Sequence, residues 1–165
     1  MEKAIQVLNA LERDGVLGRY AIGGAMAATF YVEPILTFDL DVFVVLPEAP
    51  GGLLTLAPLY ESLCARGYAV QGECVEIEGV PVQFLPTYNP LLEEALREAR
   101  EMDYGETPTR VLGVEHLAAI ALQTGRAKDR LRVRLFLDEA TMDRARLNTI
   151  LSRHGLQEKW KSWTA

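Results

Sequence analysis

The sequence predicts an α/β (α+β) fold, a single mixed β-sheet with flanking helices and a helical C-terminal tail. Three observations predict it. Strand-like runs and amphipathic stripes alternate up to about residue 112, the pattern of strands layered with helices. The run Phe38 to Leu46 is apolar, β-branched and aromatic, and Pro47 bounds it, as a buried strand requires. From Val114 onward the periodicity is helical, with Gly125 and Gly155 as stops. One domain of 165 residues is the natural partition, with residues 1–112 as the α/β core and 113–165 as its helical part.

The elements follow from local chemistry. Residues 2–14 carry Ala4, Ile5, Val7, Leu8 and Leu11 on one stripe, so a helix is predicted there, ended by Gly15 and Gly18. Arg19 to Ile22 reads as a short strand. Gly23-Gly24 breaks it and admits a helix from Ala25 to Tyr31, which Glu33-Pro34 closes. After the buried strand, Pro47 to Gly52 is a loop and Leu54 to Arg66 a helix. Tyr68 to Val70 is a strand, and Glu73–Glu78 with Val80–Leu85 forms a hairpin about Gly79. Asn89-Pro90 starts a helix, with a side-chain cap followed by proline, that is expected to run to Glu101. Thr109 to Leu112 is one more strand, and residues 114–124, 127–139 and 143–154 are helices.

Composition narrows the function classes. A net charge of −6 argues against a broad nucleic-acid-binding surface. No segment is apolar enough to span a bilayer. The first residues, Met-Glu-Lys-Ala-Ile-Gln, lack a signal-peptide pattern, so a cytoplasmic location is expected. Cys64 and Cys74 have no metal-binding spacing and are expected to be free thiols.

The chemistry concentrates between Tyr20 and Leu46. Asp39 and Asp41 are two apart, so a strand points them the same way. Carboxylates about 6–7 Å apart repel by roughly 2–3 kcal/mol at an effective dielectric near 20, and a cation between them removes that cost. Oxygen ligands suit Mg²⁺ or Mn²⁺. Gly23 and Gly24 let backbone approach a phosphate without a Cβ, and Thr37 can add a hydroxyl. In the tail, Arg126, Lys128, Arg130, Arg132 and Arg134 surround the lone anion Asp129. Arg126, Arg130 and Arg134 have i, i+4 spacing and form either a phosphate clamp or a solvated face paired with Asp138 or Glu139. Asp129 is expected to orient a basic neighbour. His116, on an apolar helix, is expected to be structural. Trp160 and Trp163 are expected to cover apolar surface or meet a partner.

Gly23-Gly24 followed by Asp39-Leu40-Asp41, with Thr37 two residues ahead, resembles the nucleotidyltransferase superfamily, the fold of DNA polymerase β. Gly125-Arg126-Ala127-Lys128-Asp129, with Leu151-Ser152-Arg153-His154-Gly155-Leu156 and Trp160, resembles its small bacterial branch related to abortive-infection type toxins. The resemblance implies Mg²⁺-dependent transfer of a nucleoside monophosphate from a nucleoside triphosphate to a hydroxyl on RNA or protein. It implies that Asp39 and Asp41 are catalytic metal ligands, and that Gly23, Gly24, Thr37, Gln83, Arg126 and Lys128 bind the nucleotide. Two positions depart from the pattern. Where relatives place a third carboxylate the strand carries Gln83, and where they often place a lysine the chain carries Gln123. An amide is a poorer cation ligand than a carboxylate. Glu76 or Glu78 is the expected replacement acid. The alternative is a protein of the same fold that binds a nucleotide or a partner chain, as in toxin–antitoxin pairs, without turnover.

Overall fold

The computed structural model describes residues 1–165. In chain order the elements are α1 (Glu2–Arg13), β1 (Tyr20–Ile22), α2 (Gly24–Ala28), β2 (Leu40–Val44), α3 (Ala57–Ala65), β3 (Ala69–Gln71), β4 (Cys74–Ile77), β5 (Val80–Pro86), α4 (Pro90–Arg97), β6 (Arg100–Tyr104), β7 (Thr107–Val111), α5 (Val114–Thr124), α6 (Ala127–Glu139), α7 (Arg144–Arg153) and α8 (Gln157–Thr164). The seven strands make one sheet in the order β3-β4-β5-β2-β1-β7-β6. β2 pairs parallel with β5, and β1 parallel with β7. The remaining pairs are antiparallel, so the sheet is mixed, as predicted.

One buried apolar cluster runs from Ala4 to Leu156. It takes Leu40, Val42 and Val44 from β2, Val82 and Phe84 from β5, and Leu147, Ile150 and Leu151 from α7. The helical part therefore shares its interior with the sheet. α5 is the hub of that part, packing against α2, α4, α6 and α7. No helix is long and apolar enough to cross a membrane.

Turn chemistry sets the β4–β5 hairpin. Ile77 pairs with Val80, which leaves Glu78-Gly79 as a two-residue loop with φ of 51° and 76°. That positive-φ pair is the twist a tight hairpin needs.

The clearest departures from expectation are at α4 and β6, at β2 and in the tail. The helix begun at Asn89-Pro90 stops at Arg97, and Arg100–Tyr104 is a strand instead of its last turn. β6 alternates, with Glu101 and Asp103 more exposed than Arg100, Met102 and Tyr104. It pairs with β7 across a two-residue turn at Gly105-Glu106. The buried strand is shorter than its apolar run, so Asp39 sits just ahead of β2 and only Asp41 is within it. The tail adds α8, whose N-terminal residue follows Leu156 and which leaves Trp160 and Trp163 packed on the core.

Candidate functional site

The site is built where β2 and β5 run side by side. Asp41 lies opposite Gln83 in the parallel register, with Leu40 opposite Val82 and Phe43 opposite Leu85. The Asp41, Phe43, Gln83 and Leu85 side chains share one face, the wet end carrying the acid and the amide. A cleft of about 380 Å³ opens over that face. Leu117, Ile120, Ala121 and Gln123 of α5 form one wall. Arg126, Lys128, Asp129 and Arg132, at the start of α6, close the polar end. Gly24, Thr37, Asp39 and Asp41 complete it. Seven of the eight residues expected at the site therefore line one cleft, and Gly23 is adjacent.

The glycine pair is shaped by its neighbours. Gly23 donates its N–H to the Asp41 carbonyl at 2.9 Å, and a Cβ there would overlap the Phe43 ring. Gly24 has φ of +60°, and a Cβ there would overlap the Asp41 carboxylate. The second glycine thus serves the acid: it brings the start of α2 directly against Asp41. α2 is only five residues long, so close approach matters more here than helix dipole. Gly24→Ala is expected to lower stability by about 1–3 kcal/mol, through left-handed strain and displacement of Asp41. Urea unfolding measures it, and a loss under 0.5 kcal/mol would show that the loop accommodates a side chain.

Electrostatics mark Asp41. Burial pushes its carboxyl up, and the Asp39 anion beside it pushes further. Arg132, Lys128 and Arg126 act across the cleft in the opposite sense. Two clustered carboxylates and no protein cation bonded to either make an oxygen donor set that fits Mg²⁺ or Mn²⁺. Thr37 donates its hydroxyl proton to the Asp39 carbonyl at 3.2 Å, which orders the loop that carries the acid.

The basic wall has its own support. Asp129 is 1% exposed and accepts Arg126 Nε at 2.7 Å and Nη2 at 3.2 Å. Arg132 Nη1 lies 3.6 Å from its Oδ1. One buried carboxylate therefore holds two guanidiniums at the cleft, the orienting role expected of it. The expected i, i+4 face is corrected. Arg130 and Arg134 are exposed and off the cleft, and the cations that line it are Arg126, Lys128 and Arg132. Asp129, Val133 and Phe136 are the buried residues of α6, and they rotate Arg132 inward. Glu139 accepts the Glu33 N–H instead of an arginine.

The neighbours of Gln83 also differ from expectation. Glu76 accepts from Gln71, and Glu78 accepts from the Tyr68 hydroxyl; neither lines the cleft. The carboxylate that meets Gln83 is Glu73, whose Oε2 accepts Gln83 Nε2 at 3.2 Å. A second donor cluster lies elsewhere. Glu94, Glu98 and His116 bring three ligand atoms within 4.8 Å of one another. Arg153 and Arg146 already neutralise those two carboxylates, at 2.8 Å and 3.0 Å, so a divalent ion gains little there. His116 is fully buried and bonded to Glu94, the structural histidine expected.

Comparison with solved structures identifies the fold. The antibiotic-resistance factor ANT(2'')-Ia in solution is 16% identical, with a TM-score of 0.54 over 96% of this chain and 92% of that one. Its crystal structure with adenylyl-2''-tobramycin is 15% identical, with a TM-score of 0.55 over 94% and 98%. An antigenic nucleotidyltransferase-like protein from Paracoccidioides brasiliensis is 13% identical, with a TM-score of 0.54 over 82% and 74%. The chain has the nucleotidyltransferase fold. No protein-family model matches the sequence, and no curated protein matches it.

On this nucleotidyltransferase fold, four features at or beside the cleft escaped the sequence. Arg132 was one cation among five. Glu73 was the start of a strand. Tyr88, 82% exposed, stands beside the cleft just ahead of the Asn89 cap. The apolar half, Leu85, Leu92, Leu117 and Ile120, comes from three separate elements. Only Tyr88 had a local signal, an aromatic residue in a turn with no apolar run to belong to.

Proposed function

We propose that the protein is a metal-dependent nucleotidyltransferase that moves a nucleoside monophosphate from a nucleoside triphosphate to an acceptor hydroxyl. One observation carries the reading: Asp39 and Asp41, with Gly24 packed on the second, face Arg126, Lys128 and Arg132 across a single cleft. Asp39 and Asp41 would hold Mg²⁺ or Mn²⁺, which supplies Lewis-acid charge to the phosphates when bound. The backbone at Gly23 and Gly24 lets the triphosphate approach. Arg126, Lys128 and Arg132 bind its charge and stabilise the pyrophosphate that departs. The acceptor oxygen bonds to the α-phosphorus as the bond to pyrophosphate breaks. Gln83 cannot take the acceptor proton, and Glu73, whose carboxylate accepts a hydrogen bond from the Gln83 amide, would be the base that takes it.

RNA and protein are the acceptors that the bacterial-branch resemblance suggests. The neighbour that holds adenylyl-2''-tobramycin adds a small-molecule acceptor. A cytoplasmic setting and a toxin–antitoxin role belong to the same reading, and the free thiols Cys64 and Cys74 suit a reducing compartment. Gln83 favours a second reading, a nucleotide-binding or partner-binding module that no longer turns over, because an amide stands opposite Asp41.

Thermal shift with Mg²⁺ and each of the four triphosphates, followed by pyrophosphate release with RNA and protein hydroxyls, separates the two. Saturation at a hundred times Kd is expected to add about 2.7 kcal/mol, or about 5–10 °C in Tm. No shift with any triphosphate would remove the transferase reading and the nucleotide-binding form of the second, leaving only a partner-binding module. A shift without pyrophosphate release for any acceptor selects the binding module.

A further inference from the structure

The cleft has a second half that phosphate chemistry does not use. Beyond Asp41 and Gln83 it becomes apolar, lined by Leu85, Leu92, Leu117, Ile120 and the ring of Tyr88. Its polar groups there include the Gln123 amide, and the way that amide faces is fixed by a chain of hydrogen bonds. Asn89 caps α4, its Oδ1 accepting the Leu92 N–H at 3.0 Å. The cap leaves Asn89 only its Nδ2 to offer, and Nδ2 donates to Gln123 Oε1 at 2.9 Å. Gln123 therefore has its oxygen engaged and presents its Nε2 donors to the cleft. The polarity originates in a backbone N–H, so it does not depend on how either amide is assigned.

A ligand for this half has a flat apolar body, a polar edge with an acceptor, and a link to the phosphate-binding cations at the other end. A nucleobase has all three. Resting on the nucleotidyltransferase reading above, we propose that the apolar half is the base subsite. Tyr88 is its stacking platform and Gln123 its reader. Asn89 is a positioning residue that makes the reader a donor. A donor at the exocyclic position pairs with a carbonyl and opposes an amine, so the site favours guanine and uracil over adenine and cytosine.

The test is calorimetric titration of the full chain with Mg²⁺ and ATP, GTP, CTP, UTP or inorganic tripolyphosphate. Tyr88→Ala is expected to weaken all four nucleotides by about tenfold and leave tripolyphosphate unchanged, since an exposed ring carries stacking and little of the fold. Gln123→Glu keeps an oxygen for Asn89 and turns a second one to the cleft. Its shared charge effect cancels in ratios, and GTP/ATP and UTP/CTP affinity ratios are expected to fall about fivefold or more. Asn89→Asp keeps the helix cap but accepts where Asn89 donated. The Gln123 amide then turns over, and the same ratios are expected to fall although residue 123 is unchanged. A merely structural Asn89 would leave them fixed. Unaltered ratios in both variants overturn the reader, and nucleotides that bind no tighter than tripolyphosphate overturn the subsite while leaving the phosphate site intact. If neither tripolyphosphate nor any nucleotide binds, the reading of the cleft fails and this inference with it.

Discussion

Asp41→Asn is expected to make the metal-free protein more stable and to abolish its response to Mg²⁺ and nucleoside triphosphate. Burial and the Asp39 anion both raise the Asp41 carboxyl above its ordinary value. A carboxyl raised on folding favours the folded state only while it is protonated. That contribution is present below the unfolded value, near 4, and is lost as pH rises through the folded one. Near neutral pH the wild type therefore carries a penalty that the amide lacks, and the gain in the variant is about 1 kcal/mol, or roughly 2–4 °C in Tm. The gap between variant and wild type should widen as pH is raised from about 4.

The ligand limb goes the other way. A neutral amide is a weak ligand for Mg²⁺, so the rise of about 5–10 °C expected for the wild type should vanish. Any turnover should fall by roughly 10²-fold or more. Scanning calorimetry with and without Mg²⁺ and triphosphate reads both limbs. A variant less stable than wild type without metal would mean that Asp41 is held by protein groups. A retained response to Mg²⁺ and triphosphate would place the metal elsewhere. Stability held back at one residue in favour of ligand binding is the behaviour of a functional site.

How much of this was legible in the sequence depends on how far apart the cooperating residues lie. Gly23, Gly24, Thr37, Asp39 and Asp41 fall within twenty residues, on one β-α-β passage, and their spacing alone brought them together. The same is true of the Glu78-Gly79 hairpin. The phase of α6 was not legible. Cations at every second position from Arg126 to Arg134 point all round a helix, and only Val133, Phe136 and the buried Asp129 decide which face is inward. β6 was missed because Arg97 to Glu101 continues the polar composition of the helix before it. The signal that should have stopped it is the Gly105-Glu106 turn, with Met102 and Tyr104 alternating ahead. Glu73 reaches Gln83 only because two antiparallel pairings bring the β3–β4 turn beside β5, and no local pattern encodes that.

Glu94 is the extreme of this non-locality and the second large expected effect. It sits on α4, 4% exposed at its side chain, and gathers Arg153 at 2.8 Å, His154 at 2.9 Å and His116 at 3.2 Å. Burial alone would raise its carboxyl, but the hydrogen bonds from Arg153, His154 and His116 outweigh it and hold the group at about 2, against an ordinary 4.5. That difference is worth roughly 3 kcal/mol above pH 4.5, and it is lost as pH falls toward 2. His116 adds to the same limb: burial lowers its pKa, so the folded state keeps it neutral, and stability declines as pH falls below the ordinary value near 6.5. The ring also has a buried Nδ1 with no partner, which as a neutral acceptor costs less than a charged donor would. Glu94→Ala should therefore cost about 3 kcal/mol at pH 7.5, because it removes the shared acceptor of Arg153 and two imidazoles at the α4–α5–α7 junction and leaves the buried rings unpaired. Glu94→Gln should cost less and should flatten the acid limb of the stability curve between pH 4.5 and 2. Urea unfolding across that range is the measurement. A Glu94→Ala loss below 1 kcal/mol, or an acid limb in Glu94→Gln as steep as in wild type, would mean that the helical part is held by apolar packing alone.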